Sequence, residues 1–169
     1  MTQDKNHIGD LIKKTLEEDG RSAIWLAEKI HCKRRNVYNI YNRASINTAQ
    51  LLRISLALKT DFFVYFSEIY EKMIDKTKYV SSEICNVMPQ DEFRIGSLIK
   101  NKLDEDGRSV KWLAQMIHCK RSNVYDILNN RASIDTARLL KICLVLKMNF
   151  FEYFSDLYKI SILNGQYRN

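Results

Sequence analysis

Between Lys29 and Arg43 the chain places five basic residues and no acidic one. In a helical register from Arg34, the residues Val37, Ile40 and Tyr41 fall on one side, and Arg34, Arg35, Tyr38 and Asn39 on the other. The outward set is chemically suited to base edges: arginine pairs bidentately with guanine O6 and N7, and asparagine with adenine. Lys33, Asn36, Asn42 and Arg43 flank it and suit phosphate oxygens. A merely solvated helix face usually mixes both signs of charge, and this one does not. A second face of the same design follows, with Arg121, Ser122, Tyr125 and Asp126 toward bases and Lys120, Asn123, Asn129 and Arg131 toward phosphates. It is the weaker of the two, because Ser122 stands for Arg35 and Asp126 for Asn39.

The two faces belong to an internal repeat. The stretch from Ile8 to Tyr70 returns from Ile95 to Tyr158 with about two-thirds of the aligned residues identical and one extra residue near Asn130. A solenoid needs at least three short units, whereas two copies of over roughly 60 residues read as two small complete domains. The expected division is residues 1–74, a linker over 75–94 that holds Pro89, a second domain over 95–160, and a frayed tail over 161–169.

Within each copy the apolar period is helical. Ile8, Leu11, Ile12 and Leu16 form one face of a first helix that Gly20 ends. Ser22 caps a short second helix bearing Leu26, Ala27 and Ile30, and His31-Cys32-Lys33 breaks the chain before the third, which buries Val37, Ile40 and Tyr41. Asn47 caps a fourth helix with Leu51, Ile54, Ser55 and Leu58 inward, and Asp61 a fifth carrying Phe62, Phe63, Tyr65, Phe66, Ile69 and Tyr70. Ser109, Asp135 and Asn149 take the capping positions in the second copy. The expected fold class is all-α, two tandem five-helix units.

A short second helix, a three- or four-residue turn and a third helix with Val37 and Ile40 inward make a helix-turn-helix, the arrangement that lays its second helix in the DNA major groove. The leucine and glycine spacing before the turn, the Leu26-Ala27 pair with Ile30, and then Val37, Ile40 and Leu51-Leu52 resemble the lambda-repressor-like (Cro/XRE) transcriptional regulators over about three-quarters of the chain. The chain departs from that pattern at Ala23 and Val110, where family members often carry glutamine. The resemblance implies a sequence-specific double-stranded DNA-binding transcriptional regulator whose two domains read two half-sites. The competing reading is a protein-interaction module, such as an antitoxin-like subunit, with RNA binding third because A-form grooves admit helices poorly.

The remaining features narrow the field. A formal net charge of +7 favours a polyanionic partner. Five glycines and one proline in 169 residues are too few for a strand-and-turn fold. No apolar run approaches the roughly 18 residues of a membrane span, and the opening MTQDKNHIGD lacks the apolar core of a signal peptide, so the expected location is the bacterial cytosol or nucleoid. There Cys32, Cys85, Cys119 and Cys143 are expected as thiols. His31-Cys32 and His118-Cys119 point in diverging directions and make poor chelates, so no metal or cofactor is expected. His7, His31 and His118 lack catalytic companions, and no enzyme reading follows. Trp25 and Trp112 are expected to pack within their own domains rather than stack on bases. The aromatic run exceeds what one helix face buries in so small a domain. Phe63 and Phe151 lie about 100° from their neighbours and are expected to pair the fifth helices, within the chain as an internal pseudo-dimer or between chains as a homodimer.

Overall fold

The computed structural model describes residues 7–74, 95–129 and 133–165. Among these the secondary structure is ten α-helices. The first copy supplies α1 (Ile8–Glu18), α2 (Ala23–Lys29), α3 (Arg34–Tyr41), α4 (Thr48–Leu58) and α5 (Phe63–Met73). The second supplies α6 (Ile95–Glu105), α7 (Val110–Met116), α8 (Arg121–Leu128), α9 (Thr136–Leu146) and α10 (Phe151–Leu163). Residues 75–94, expected as a linker and holding Cys85 and Pro89, and residues Asn130 and Arg131 lie outside the described residues.

Local chemistry sets the helix limits. His7 and Asp10 form a reciprocal capping box on α1. Ser22 and Ser109 accept from Trp25 N–H and Trp112 N–H at 3.1 Å, starting α2 and α7. Asn47 and Asp135 cap α4 and α9. Asp61 and Asn149 sit one residue ahead of the formal caps Phe62 and Phe150, yet their Oδ1 atoms still accept from Phe63 N–H and Phe151 N–H. The break after α2 is a Schellman turn: His31 takes φ 53°, and Cys32 N–H donates to Ala27 O at 2.8 Å. His118 and Cys119 repeat it after α7. Histidine tolerates this left-handed conformation better than most residues, which gives both histidines a backbone role.

Two expectations need correction. Tyr41 is only half-buried, its ring edge-on to Tyr38 at 5.8 Å. The chain beyond Tyr158 is not frayed at once: α10 continues to Leu163, past the expected boundary at residue 160, because Asn164 and its neighbours keep the helical hydrogen bonds to Ile160 and Ile162.

The two copies meet along α4, α5, α9 and α10. Phe63 stacks on Phe154 at 4.9 Å and Phe66 on Phe151 at 5.0 Å, all four rings essentially buried. Because Phe63 corresponds to Phe151 and Phe66 to Phe154, these are two images of one contact. Ahead of the helices, Thr48 N–H donates to Ile134 O and Thr136 N–H to Ile46 O, each at 2.9 Å, forming a single antiparallel bridge between Asn47 and Asp135. Those two residues also correspond. The contacts are therefore related by an approximate two-fold axis through the Asn47–Asp135 bridge, and a translational repeat would not produce them. Phe66 joins Phe63 in this seam, stacking on Phe151 of the other copy.

Candidate nucleic-acid interface

Each helix-turn-helix is held from behind. Ala27 and Ala114, both buried, sit on α2 and α7 where the small side chain permits close crossing by α3 and α8. Val37 and Ile40 of α3, and Val124 and Ile127 of α8, are also buried. The start of α1 presses on the end of α3: Gly9 N–H donates to Arg43 O at 3.1 Å, and a Cβ built on Gly9 would lie 2.3 Å from Ile40 O and 2.5 Å from Tyr41 O. Only glycine permits that approach, so the tilt of α3 depends on residue 9.

The outward side of α3 is open. Arg34, Arg35, Asn36, Tyr38 and Asn39 are exposed, as are Lys33, Asn42 and Arg43 around it. Arg34 donates through Nε and Nη2 to Tyr38 Oη at 3.2 and 2.9 Å, with its guanidinium 5.4 Å from the ring. Arg121 and Tyr125 repeat the pair at 2.8 Å on α8. This contact orders two long side chains before any ligand arrives, lowering the entropy lost on binding. On α8, Ser122 is exposed and Asp126 half-buried; Lys120 and Asn129 are exposed and Asn123 half-buried. Lys33 and Lys120, the residues before α3 and α8, place no side chain on the first turn, leaving backbone N–H groups directed outward at the positive end of each helix.

The flanking features are structural. Trp25 and Trp112 are half-buried, with Arg21 and Arg108 lying 4.1 and 4.7 Å over their rings. The Cys32 thiol donates to Lys33 O, and burial pushes its pKa up. Among the described residues no cluster of three or more histidine, cysteine or acidic side chains stands close enough to hold a metal. Likewise, no described helix is long and apolar enough to cross a membrane.

Two cations were not singled out by sequence reading. Arg138, third residue of α9, lines one open depression with Gln115, His118, Lys120 and Asn123. Lys111 stands exposed on the first turn of α7. Both lie outside α3 and α8 in sequence. The only sequence signal was their replacement of Gln50 and Ile24 in the other copy.

Residues 99–156 match the family model of the Cro/C1-type HTH DNA-binding domain. No curated protein and no solved structure matches the chain. The matched segment contains α7, α8 and α9 whole, so the helix-turn-helix of the second copy is similar to that family.

Proposed function

We propose that the chain is a sequence-specific duplex DNA-binding transcriptional regulator, a tandem duplication whose copies pair as an internal pseudo-dimer. In this reading the units are residues 1–74 and 95–160, joined by the linker over 75–94. The observation that carries it is the reciprocal seam, in which Phe63 meets Phe154 as Phe66 meets Phe151. A two-fold arrangement of helix-turn-helix units presents two recognition helices to half-sites in inverted order, one helical turn or about 34 Å apart. Dimeric regulators reach that arrangement by association, whereas here it would form within one chain at any concentration. Since the aromatic faces of α5 and α10 already cover each other, a homodimer through them is not needed.

Arg34, Arg35, Tyr38 and Asn39, with Arg121, Ser122, Tyr125 and Asp126, act in this reading on base edges. Lys33, Asn36, Asn42, Arg43, Lys120, Asn123, Asn129 and Arg131 act on the backbone. The first-turn N–H groups of α3 and α8 add further donors to phosphate.

The test is duplex binding measured by fluorescence anisotropy over a salt series. With three to five phosphate contacts per copy, log K is expected to fall with a slope of roughly −5 to −9 against log[salt]. Arg34→Ala and Arg121→Ala should each cost about 1–3 kcal/mol on a selected site while leaving the melting temperature unchanged. No duplex binding at low salt, or binding indifferent to salt, would replace this reading by the protein-interaction one.

A further inference from the structure

Although the two copies share one framework, their outward faces carry cations in different places. Copy one concentrates them on the helix that enters the groove and its approach: Lys29, Lys33, Arg34, Arg35 and Arg43, with Asn39 in the middle and no acid from Lys29 to Arg43. Copy two has Met116 in place of Lys29 and Ser122 in place of Arg35. Asp126 replaces Asn39, putting a carboxylate on the recognition helix itself. Its compensating cations are Lys111 on the first turn of α7 and Arg138 on the first turn of α9. Arg138 shares a depression with Lys120 and Asn123, so cations from two elements converge there; the corresponding pair in copy one is Lys33 with the neutral Gln50. Arg138 is only loosely held by its own neighbour, with Nε 4.0 Å from Asp135 Oδ2 and both side chains well exposed.

The chemistry of the two sets differs. Arginine and asparagine on a recognition helix make bidentate bonds that discriminate bases, whereas serine serves several bases equally. A carboxylate there is repelled by the phosphates on both walls of the groove. Lysine and arginine at helix starts, around a shallow depression, have the reach and geometry for phosphate oxygens, which carry no sequence information. Both copies keep the same formal charge, ten basic residues against seven acidic in each, so copy two has not lost attraction to DNA but has moved it off the base-reading helix.

We infer that the two copies divide the work: copy one reads most of the sequence, and copy two, which keeps Arg121 as its one arginine for base edges, grips the backbone through Lys111, Lys120 and Arg138. The operator is then asymmetric, with one defined half-site and one half-site specified mainly opposite Arg121 at fixed spacing, and the chain sits on it in a single direction. A symmetric homodimer has no such direction. This inference rests on the DNA-binding reading above, and the experiment separates the two.

The experiment is selection of bound fragments from random duplex DNA with the intact chain, at low salt. One highly informative half-site beside one specified mainly at the position opposite Arg121 is the expected result. Two half-sites of equal information, or a second half that specifies cytosine opposite Asp126, would overturn the division while leaving DNA binding intact. Failure to retain any duplex would overturn both readings. Arg35→Ala with Asn39→Ala should reduce the defined half to the position opposite Arg34 and lower affinity for the selected site by roughly 5- to 150-fold per bidentate pair lost. Lys111→Ile with Arg138→Gln, which installs the copy-one residues, should leave the selected sequence unchanged and flatten the salt slope by about two. Ser122→Arg with Asp126→Asn should convert the selected site into a palindrome of the copy-one half; an unchanged site would overturn the assignment. All these positions are exposed or half-buried, and melting curves confirm that each variant is folded.

Discussion

The seam between the copies and the faces turned away from it have diverged to different degrees. Along the seam most of the paired positions are identical, Ile46 and Ile134, Thr48 and Thr136, Phe63 and Phe151, Phe66 and Phe154, while the bridge pair differs, Asn47 against Asp135. On the outer faces Ile24, Arg35, Asn39 and Gln50 face Lys111, Ser122, Asp126 and Arg138 at matching positions. The difference has a physical basis. In a two-fold contact the same surface is used from both sides, so a change at Phe63 acts on Phe154, and the equivalent change at Phe151 must then act on Phe66. The outer faces share no such contact, and each can change without reference to the other.

The largest effect should come from cutting the seam. Phe151 is fully buried and stacks on Phe66, so Phe151→Ala should cost about 3–5 kcal/mol in urea denaturation, a large part of a small protein's stability. Arg35→Ala, outside, should cost under about 0.5 kcal/mol. Similar values for the two variants would break the contrast between seam and face.

A second effect depends on pH. Ser55 and Cys143 hold the same place, accepting from Phe62 N–H and Phe150 N–H at 3.4 Å. Burial raises the Cys143 thiol from an ordinary 9.0 to about 12. Since the folded state holds this proton more tightly than the unfolded one, the associated stability is complete below pH 9 and drains away as pH climbs from 9 through 12. By pH 11 the loss should reach roughly 2–3 kcal/mol. Cys143→Ser, restoring the copy-one residue, should remove this loss. The check is the difference in unfolding free energy between the two proteins from pH 8 to 11, which cancels the other titrating groups; a constant difference would mean that the thiol is hydrated.

How much of this was legible in the sequence depends on whether a feature leaves a side-chain signature. The helices did, through the spacing of Ile8, Ile12 and Leu16 and through caps such as Ser22 and Asn47. The outward exposure of Arg34, Arg35 and Asn39 follows directly from the inward placement of Val37 and Ile40. The bridge joining Ile46–Thr48 to Ile134–Thr136 was illegible, because backbone hydrogen bonds between segments almost 90 residues apart impose no pattern. For α4 one inward face was expected, yet Leu52 and Leu56 are buried as well as Leu51, Ile54, Ser55 and Leu58. A helix buried on two sides signals a second layer, and that signal was present in its nearly continuous apolar sequence. Arg138 escaped notice because only the fold brings the start of α9 beside Lys120.

Glycine positions offer a smaller contrast between inside and outside. Gly9→Ala would drive a methyl into the carbonyls of Ile40 and Tyr41, backbone that cannot step aside, at a cost of about 1–3 kcal/mol. It should also weaken duplex binding by tilting α3. Gly20 has φ +64° and open space around it, so Gly20→Ala pays only for the left-handed backbone, about 1 kcal/mol, with duplex affinity unchanged. Equal effects of both variants on binding would detach α1 from the control of α3.

The smallest effect tests how far the seam's symmetry extends. Ser45 Oγ donates to Asp135 Oδ1 at 3.0 Å and accepts from Ala137 N–H at 3.2 Å, so a hydroxyl of copy one caps the first turn of α9 in copy two. Its counterpart Ser133 is exposed, and Asn47, the counterpart of Asp135, spends its Oδ1 on its own helix, on Ala49 N–H and Gln50 N–H. The carboxylate accounts for the difference: Asp135 has an anionic oxygen able to accept from both Arg138 N–H and Ser45, and an amide is the poorer acceptor. Ser45→Ala should therefore cost about 1 kcal/mol, the usual value of a lost cap, and Ser133→Ala only a few tenths. Asp135→Asn should bring the two serine variants closer together by weakening the bond that sets them apart. If Ser45→Ala and Ser133→Ala are equal in the unaltered chain, the seam is symmetric in energy despite the difference between Asn47 and Asp135, and divergence with an energetic effect begins only at the outer faces.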